Sequence, residues 1–278
     1  MKNLILPIIF FMYFVSQAHA LVIESHISEI SESQKITEDH LIKLDSGEVV
    51  FLDRDDIKNL EELKKSLLNK QKVEISLDET HHFISFLALD HKREEQTDTF
   101  SEQKFSFDPS IVQGLAEATN IFNRMRRNYQ SNSQCYNRAH IWDYEEFKRS
   151  GLRSQKLFLF FTNRYIRNYR YGWWFHVTPM VQVSEEGAIV SRVLDRRYTS
   201  VPLTIKNWTD KFIYSHRTCP VAVKYSDYVR HQNVEDCYLI PRSMYFWQPR
   251  DIAREERTGS VKNQFISSEV NHAYWEAF

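Results

Sequence analysis

At 278 residues, 42% hydrophobic and 26% charged, the chain is too apolar to be disordered throughout, and it is long enough for one large domain or a small one joined to a medium one. The net charge of −1 argues against a generally basic nucleic-acid binder. It also hides a split: residues 21–110 hold 11 Lys and Arg against 21 Asp and Glu, while residues 111–278 hold 24 against 16. Parts of charge −10 and +8 attract one another, and the acidic part cancels the field a nucleic acid would need.

Residues 1–20 read as a signal peptide. Lys2 supplies the positive start, residues 4–15 form an apolar run too short to span a bilayer, and Ala18-His19-Ala20 is a small-x-small cleavage pattern, so the mature chain is expected to begin at Leu21. With no later span in the sequence, the mature protein is expected to be secreted or periplasmic and off the membrane.

Residues 21–37 are polar and rich in Ser and Glu and predict a loose arm. Residues 41–52 predict two short strands about the turn Asp45-Ser46-Gly47, residues 55–68 an amphipathic helix, and residues 72–77 a strand. Together they predict a small α+β unit over about 38–90. A charged, aperiodic stretch at 91–107 predicts a linker. Beyond Asp108-Pro109, Ser110 is placed to cap a helix that carries Ile111, Leu115, Ala118, Ile121, Phe122 and Met125 on one stripe to about Arg127. Ser131-Asn132-Ser133 breaks the chain before a second helix from about Cys135 to Arg149, which Gly151 stops. Residues 156–161 predict a buried strand, and residues 171–183 and 188–195 a hairpin.

Three cysteines in an exported chain leave one thiol unpaired. Cys219 and Cys237 are spaced for a disulfide loop worth roughly 3 kcal/mol, and Cys135 is left over. A free cysteine is often only a small buried hydrophobe, but Cys135 opens a helix. The partial positive charge and unpaired N–H groups there favour a thiolate, and the same N–H groups can face an oxyanion. The Cys135 N–H is the expected donor, with Gln134 as a second candidate.

A thiolate needs a histidine base. His140 lies about 140° around the helix from Cys135 and is expected to pack or face solvent. His176 is better placed. With a loop at 184–187, Val183 faces Ala188 and His176 faces Asp195, with Cβ atoms about 4.5–5.5 Å apart. An Asp there can fix the imidazole tautomer. Trp174, two residues from His176, is a candidate for lining the substrate channel, whereas Trp173 and Phe175 are expected to point into the core. Arg138 is expected to play a structural role. His81, His82 and His91 lack the further ligands of a metal site, so no metal is expected. Asn207-Trp208-Thr209 matches a glycosylation sequon by a short pattern only. Tyr225, Tyr228 and Tyr238 sit around the expected disulfide and read as packing or rim residues.

The segment Ser133-Gln134-Cys135-Tyr136-Asn137-Arg138-Ala139-His140 resembles the nucleophile segment of bacterial protein-glutaminases, close to C-Y-x-R-A-H. His176-Val177, and Asp195 followed by Pro202 and Trp208, resemble the family's later motifs. The similarity covers about residues 131–250. It implies an α+β fold in which a papain/transglutaminase-like core, a nucleophile helix on an antiparallel sheet, follows a small N-terminal unit. It implies the triad Cys135, His176 and Asp195, no cofactor, and hydrolysis of glutamine side-chain amides in proteins or peptides. Two departures touch substrate preference: Asp195-Arg196-Arg197 stands where the family often has Asp-Pro-Ser, and this chain has fewer cysteines.

Family members carry pro-regions, which implies that residues 21–108 are a cis partner docking on a catalytic domain at 109–278 until the 91–107 linker is cut. Transglutaminase or peptidase chemistry on the same core is the nearest alternative. An exported binding module with an inactive triad is another.

Overall fold

The computed structural model describes residues 21–33, 35, 37–92 and 107–278; the expected signal peptide and residues 93–106 of the expected linker lie outside them. The chain runs through β1 (Leu21–Ser31), β2 (His40–Leu44), β3 (Val49–Leu52), α1 (Ile57–Leu68), β4 (Gln71–Leu77) and β5 (Phe83–Lys92). It continues through β6 (Ile111–Gln113), α2 (Gly114–Arg124), α3 (Cys135–Ser150), β7 (Gln155–Phe161), α4 (Asn163–Tyr169), β8 (Phe175–Glu185), β9 (Ala188–Val193), β10 (Leu203–Thr204) and α5 (Ile205–Thr209). It ends with α6 (Tyr225–Arg230), β11 (Cys237–Ser243), α7 (Pro249–Thr258) and α8 (Ser267–Ala277). The fold is α+β. One sheet has the order β3-β2-β1-β4-β5; the other has the order β10-β9-β8-β7-β11, with β6 alongside β8.

Residues 21–31 are no loose arm: β1 is the central strand of the first sheet, antiparallel to β2 and β4. Its period-two signal is broken by Ser25 on the buried side and by a bulge between Ile27 and Glu29, so the apolar residues do not alternate cleanly. Residues 91–92, expected in the linker, close β5. The first helix is capped by Asp56, which accepts from Asn59 N.

The hairpin β2–β3 is buried on both faces. Ile42, Leu44, Val50 and Leu52 pack into the core of the first sheet, whereas Leu41, Val49 and Phe51 pack into the larger core of the second. The unbroken run Val49-Val50-Phe51-Leu52 follows from this, since a strand buried on both faces has no polar side. Each such side chain contributes roughly 1.5–3 kcal/mol. Lys43 is also fully buried on this hairpin. Its ammonium reaches Glu29 at 3.3 Å, Tyr228 Oη at 3.3 Å and Gln232 Oε1 at 3.5 Å.

Ser110 caps no helix. Its hydroxyl accepts from Arg153 N, and Ile111–Gln113 pairs in parallel with β8 before Gly114, at φ +85°, turns the chain into α2. The expected stripe survives in Ala118, Ile121, Phe122 and Met125, all buried. The second helix is as expected, ending at Gly151 with φ +72°. It packs on β8 through Tyr136, whose ring stacks 6.2 Å from Phe175. A helix opened by Cys135 thus packs on an antiparallel sheet, the arrangement expected of the core. Cys219 and Cys237 form the disulfide, with Cα atoms 5.1 Å apart, and Tyr228 and Tyr238 pack edge to face near it.

The β8–β9 register differs from expectation by two residues. Val183 faces Val190 and Glu185 faces Ala188, so the loop is only Glu186-Gly187. Glu186 and Gly187 both have positive φ, 49° and 83°, the conformation that a two-residue hairpin demands. A shift of two keeps every side chain on its face, so Asp195 stays on the side of His176, just past the end of β9.

Candidate active site

Cys135 is the first residue of α3 and is half-buried. Its neighbour Gln134 caps the helix with extended backbone, φ −72° and ψ 147°. The first N–H groups of the helix therefore have no partner within it and lie at the end that carries the thiol. His176 lies on β8, opposite Leu159 of β7, and its ring is buried. Nε2 lies 2.7 Å from Asp195 Oδ2. The Nδ1 edge has no N or O partner, and the side chain that acts on the ring from outside its aromatic shell is Cys135.

Burial pushes the His176 pKa down, but the Asp195 carboxylate, its hydrogen bond and then Cys135 outweigh that and raise it to about 9. For Asp195 the balance is the mirror image. Burial pushes its pKa up, while His176 and the Trp208 hydrogen bond hold it below the usual carboxylate value. A raised imidazole beside a lowered carboxylate favours the imidazolium.

Trp208 is the residue the spacing arguments missed. Its indole N–H donates to Asp195 Oδ2 at 2.9 Å, and its ring stacks 5.7 Å from His176. Only the resemblance pointed to it. Three further rings close around the imidazole: Phe212 at 4.8 Å, Tyr198 at 5.2 Å and Trp173 at 6.1 Å. Trp174 does not line the channel. Its indole donates to Leu44 O at 2.7 Å, away from the cleft. Trp173 and Phe175 line the cleft in its place. The alternation fails because β8 begins only at Phe175, and the residues before it bend to meet Gly47 and Glu48.

A cavity of about 120 Å³ surrounds Cys135 and His176, walled by Gln134, Arg138 and Trp173 on one side. Ser46, Gly47 and Glu48 from the β2–β3 turn form another wall. This turn is held by backbone bonds: Trp174 N donates to Gly47 O at 3.0 Å, and Val49 N donates to Gly172 O at 2.8 Å. Gln134 Nε2 donates to Glu48 Oε1 at 3.3 Å, and Glu48 Oε2 is buried without a partner.

Arg138 is buried; its guanidinium donates to the carbonyl of Ser133 and, at 3.2 Å, to the Ser133 hydroxyl, bracing the loop before Cys135. His140 faces away from the thiol, as its angle predicts. It is fully buried beside Lys156, whose Nζ lies 2.7 Å from His140 Nδ1. A His–Asp cluster does form at Asp39, Asp53 and His82. Arg170 already pairs with Asp39 at 2.6 Å, so a cation there would meet a guanidinium. In the sequon Asn207 is exposed, whereas Trp208 and Thr209 are buried.

Residues 100–212 match the sequence model of a family described as glutaminase, and that span holds Cys135, His176, Asp195 and Trp208. Over that span the chain is similar to this glutaminase family. No curated protein matches the sequence. Among solved structures, the chain is similar to a pro-protein-glutaminase at 12% identity, with a TM-score of 0.47, over 81% of this chain and 83% of that one. It is similar to an A47Q2 mutant of pro-protein-glutaminase at 14% identity and a TM-score of 0.44, over 67% and 74%. It is also similar to the protein-glutaminase of Chryseobacterium proteolyticum at 13% identity and a TM-score of 0.38, over 59% and 85%.

Proposed function

We propose that this chain is an exported protein-glutamine deamidase that uses Cys135 as nucleophile, His176 as acid and base, and Asp195 to orient the imidazole. The observation that carries this reading is the 2.7 Å contact between His176 Nε2 and Asp195 Oδ2, which turns the other ring edge toward the helix-opening thiol. In this scheme the Cys135 thiolate attacks the glutamine carboxamide carbon, and the carbonyl oxygen gains charge beside the Cys135 N–H and the Gln134 amide. The imidazolium gives its proton to the nitrogen, the C–N bond breaks and ammonia departs, leaving a thioester. His176 then takes a proton from water, the hydroxide displaces the thiolate, and glutamate is released. The disulfide fits an oxidising compartment and so supports export. Among the described residues no helix is long and apolar enough to cross a membrane.

We further propose that residues 21–108 act as a pro-region on a catalytic domain at 109–278. The support is the β2–β3 turn at the cleft and the Glu48 carboxylate held by Gln134; that carboxylate has the chemistry of the reaction product. Contacts such as Arg170 with Asp39 and Arg167 with Glu38, at 2.6 and 3.4 Å, add charge attraction.

The experiment is to incubate the chain, before and after protease cuts it between residues 93 and 106, with a glutamine-rich protein. Ammonia release and the mass gain of amide-to-acid conversion are measured, with Cys135→Ala as control. Ammonia released together with crosslinked products would assign the chain to transglutaminase chemistry, and shortened chains without ammonia to peptidase chemistry. Ammonia from the Cys135→Ala protein would refute the nucleophile.

A further inference from the structure

Beside the catalytic cleft lies a second, larger cavity of about 570 Å³ with no acidic residue in its wall. Arg126, Arg127, Arg138, Arg196, Arg197 and Lys211 contribute six cationic side chains to it. Arg126 is paired with Glu145 at 2.6 Å. Among the described residues, none of the other five has an ion-pair partner. Unneutralised cations gathered in one concavity repel one another, and this repulsion opposes folding unless an anion relieves it. The crowding is felt: burial, and then the charge of Arg127, lower the Arg196 pKa. Arg196 lies 4.5 Å over the Phe122 ring, and its buried Nε has no partner.

The position of this cavity is informative. Arg138, Arg197 and Tyr198 line both it and the catalytic cleft, so the two hollows are neighbours across a shared wall. Tyr198 touches the His176 ring at 5.2 Å. Among the described residues, none of 21–92 lines the basic cavity, whereas the β2–β3 turn stands at the cleft.

We propose that the basic cavity is a docking subsite for an acidic segment of the protein substrate, binding Asp or Glu side chains that flank the glutamine to be hydrolysed. This rests on the deamidase reading for its catalytic consequence, though not for binding itself. Arg196 and Arg197 follow Asp195 directly, so a segment held by their guanidinium groups is tethered to the loop that orients His176. Guanidinium forks suit paired carboxylate contacts. An acidic segment would also be drawn in by the field of the basic half of the molecule.

The test has two arms. In the first, a fluorescein-labelled hexapeptide of Asp and Glu, without glutamine, is titrated into the full chain at low salt and followed by anisotropy. A Ser/Thr hexapeptide and a single-stranded oligonucleotide of equal charge run alongside. The acidic peptide is expected to bind more tightly than either. Arg196→Ser/Arg197→Ser and, separately, Arg127→Ser/Lys211→Ser are each expected to weaken it about fivefold or more. The second pair guards against misfolding from loss of the Arg196–Phe122 contact.

Equal affinity for acidic and neutral peptides, or no change in either variant, overturns the subsite. Tighter, variant-sensitive binding of the oligonucleotide overturns it in favour of nucleic acid. In the second arm, ammonia release from glutamine peptides flanked by Glu or by Ser is compared on the protease-cut protein. The Glu-to-Ser rate ratio is expected to exceed one and to fall in both variants. A ratio of one overturns the substrate role. No ammonia from any peptide defeats the deamidase reading while the binding arm still decides the subsite.

Discussion

His176 Nε2 and Asp195 Oδ2 stand 2.7 Å apart, both side chains almost wholly withdrawn from solvent, although the two residues do not face each other across the hairpin. Asp195 sits beyond the last paired residue of β9, on a turn pinned by Tyr198 N and Thr199 N donating to its own carbonyl at 3.1 and 2.9 Å. The carboxylate is thus placed by the turn, and the imidazole by the strand. Asp195→Asn keeps the shape and removes the charge. It is expected to lower kcat by roughly 10²–10⁴-fold, as loss of an orienting carboxylate does elsewhere, and steady-state ammonia kinetics measure this. A change under threefold would mean that the carboxylate does not orient the base.

The direction of the His176 shift sets a pH dependence. Its folded pKa, about 9, lies above the ordinary 6.5. The folded state therefore holds the proton more tightly than the unfolded chain does. That stabilisation is fully present below about pH 6.5 and is lost as the pH rises through about 9. Stability from chemical denaturation should fall across this window in the native protein, by roughly 3 kcal/mol. It should fall much less in His176→Gln. The thiolate–imidazolium pair should also place the alkaline limb of the Cys135 alkylation rate near pH 9. In Asp195→Asn that limb should move to lower pH, because the group that raises the imidazole is gone.

Trp208→Phe tests a positioning role. The substitution keeps an aromatic ring against His176 but removes the N–H that donates to Asp195. A buried carboxylate oxygen that loses a donor costs about 1–3 kcal/mol. Part of that cost should appear as a weaker hold on the imidazole. The expected result is a kcat drop of roughly tenfold with KM little changed, together with a lower alkaline limb. A purely structural tryptophan would lower Tm and leave that limb in place.

The placement of the three proposed triad residues was legible because its signals are local. Cys135 follows a Ser/Asn break at a helix start, and His176 and Asp195 share strand-face parity that survives even a two-residue register error. Where the reading failed, the deciding contact was distant in sequence. Trp174 was assigned by alternation along one strand, but Gly47 and Glu48, more than a hundred residues away, pair with the segment before β8 and turn Trp173 to the cleft instead. Likewise β1 is held as a central strand by β2 and β4 on its two sides, and a polar strand in the middle of a sheet carries little apolar pattern of its own. The helix cap assigned to Ser110 was lost to a tertiary bond from Arg153.

The disulfide joins the loop before α6 to β11, the edge strand paired with β7. Cys219→Ser/Cys237→Ser frees a loop whose closure is worth roughly 3 kcal/mol. Thermal unfolding of the double variant should begin several degrees lower, and reductant should move the native protein the same way. Because neither cysteine lines the cleft, the Cys135 alkylation rate well below Tm should stay within about twofold, the usual reach of a distant and independent site.

Gly47 offers a way to open the cleft without touching the triad. Its φ of +104° is a conformation that a side chain resists, and a Cβ there would stand 3.3 Å from the Phe175 ring. Gly47→Ala therefore adds backbone strain of roughly 1–2 kcal/mol and crowds the docked turn. Relief comes from the turn moving off the ring, which also releases the Trp174 N bond to Gly47 O. If the β2–β3 turn occludes Cys135, the full Gly47→Ala chain should be alkylated by iodoacetamide about fivefold faster than the native chain, in line with a shift of about 1 kcal/mol in the docking equilibrium. Glu48→Ala should act in the same direction by removing the Gln134 contact. Alkylation rates identical in all three proteins would show that the turn stands beside the thiol without guarding it.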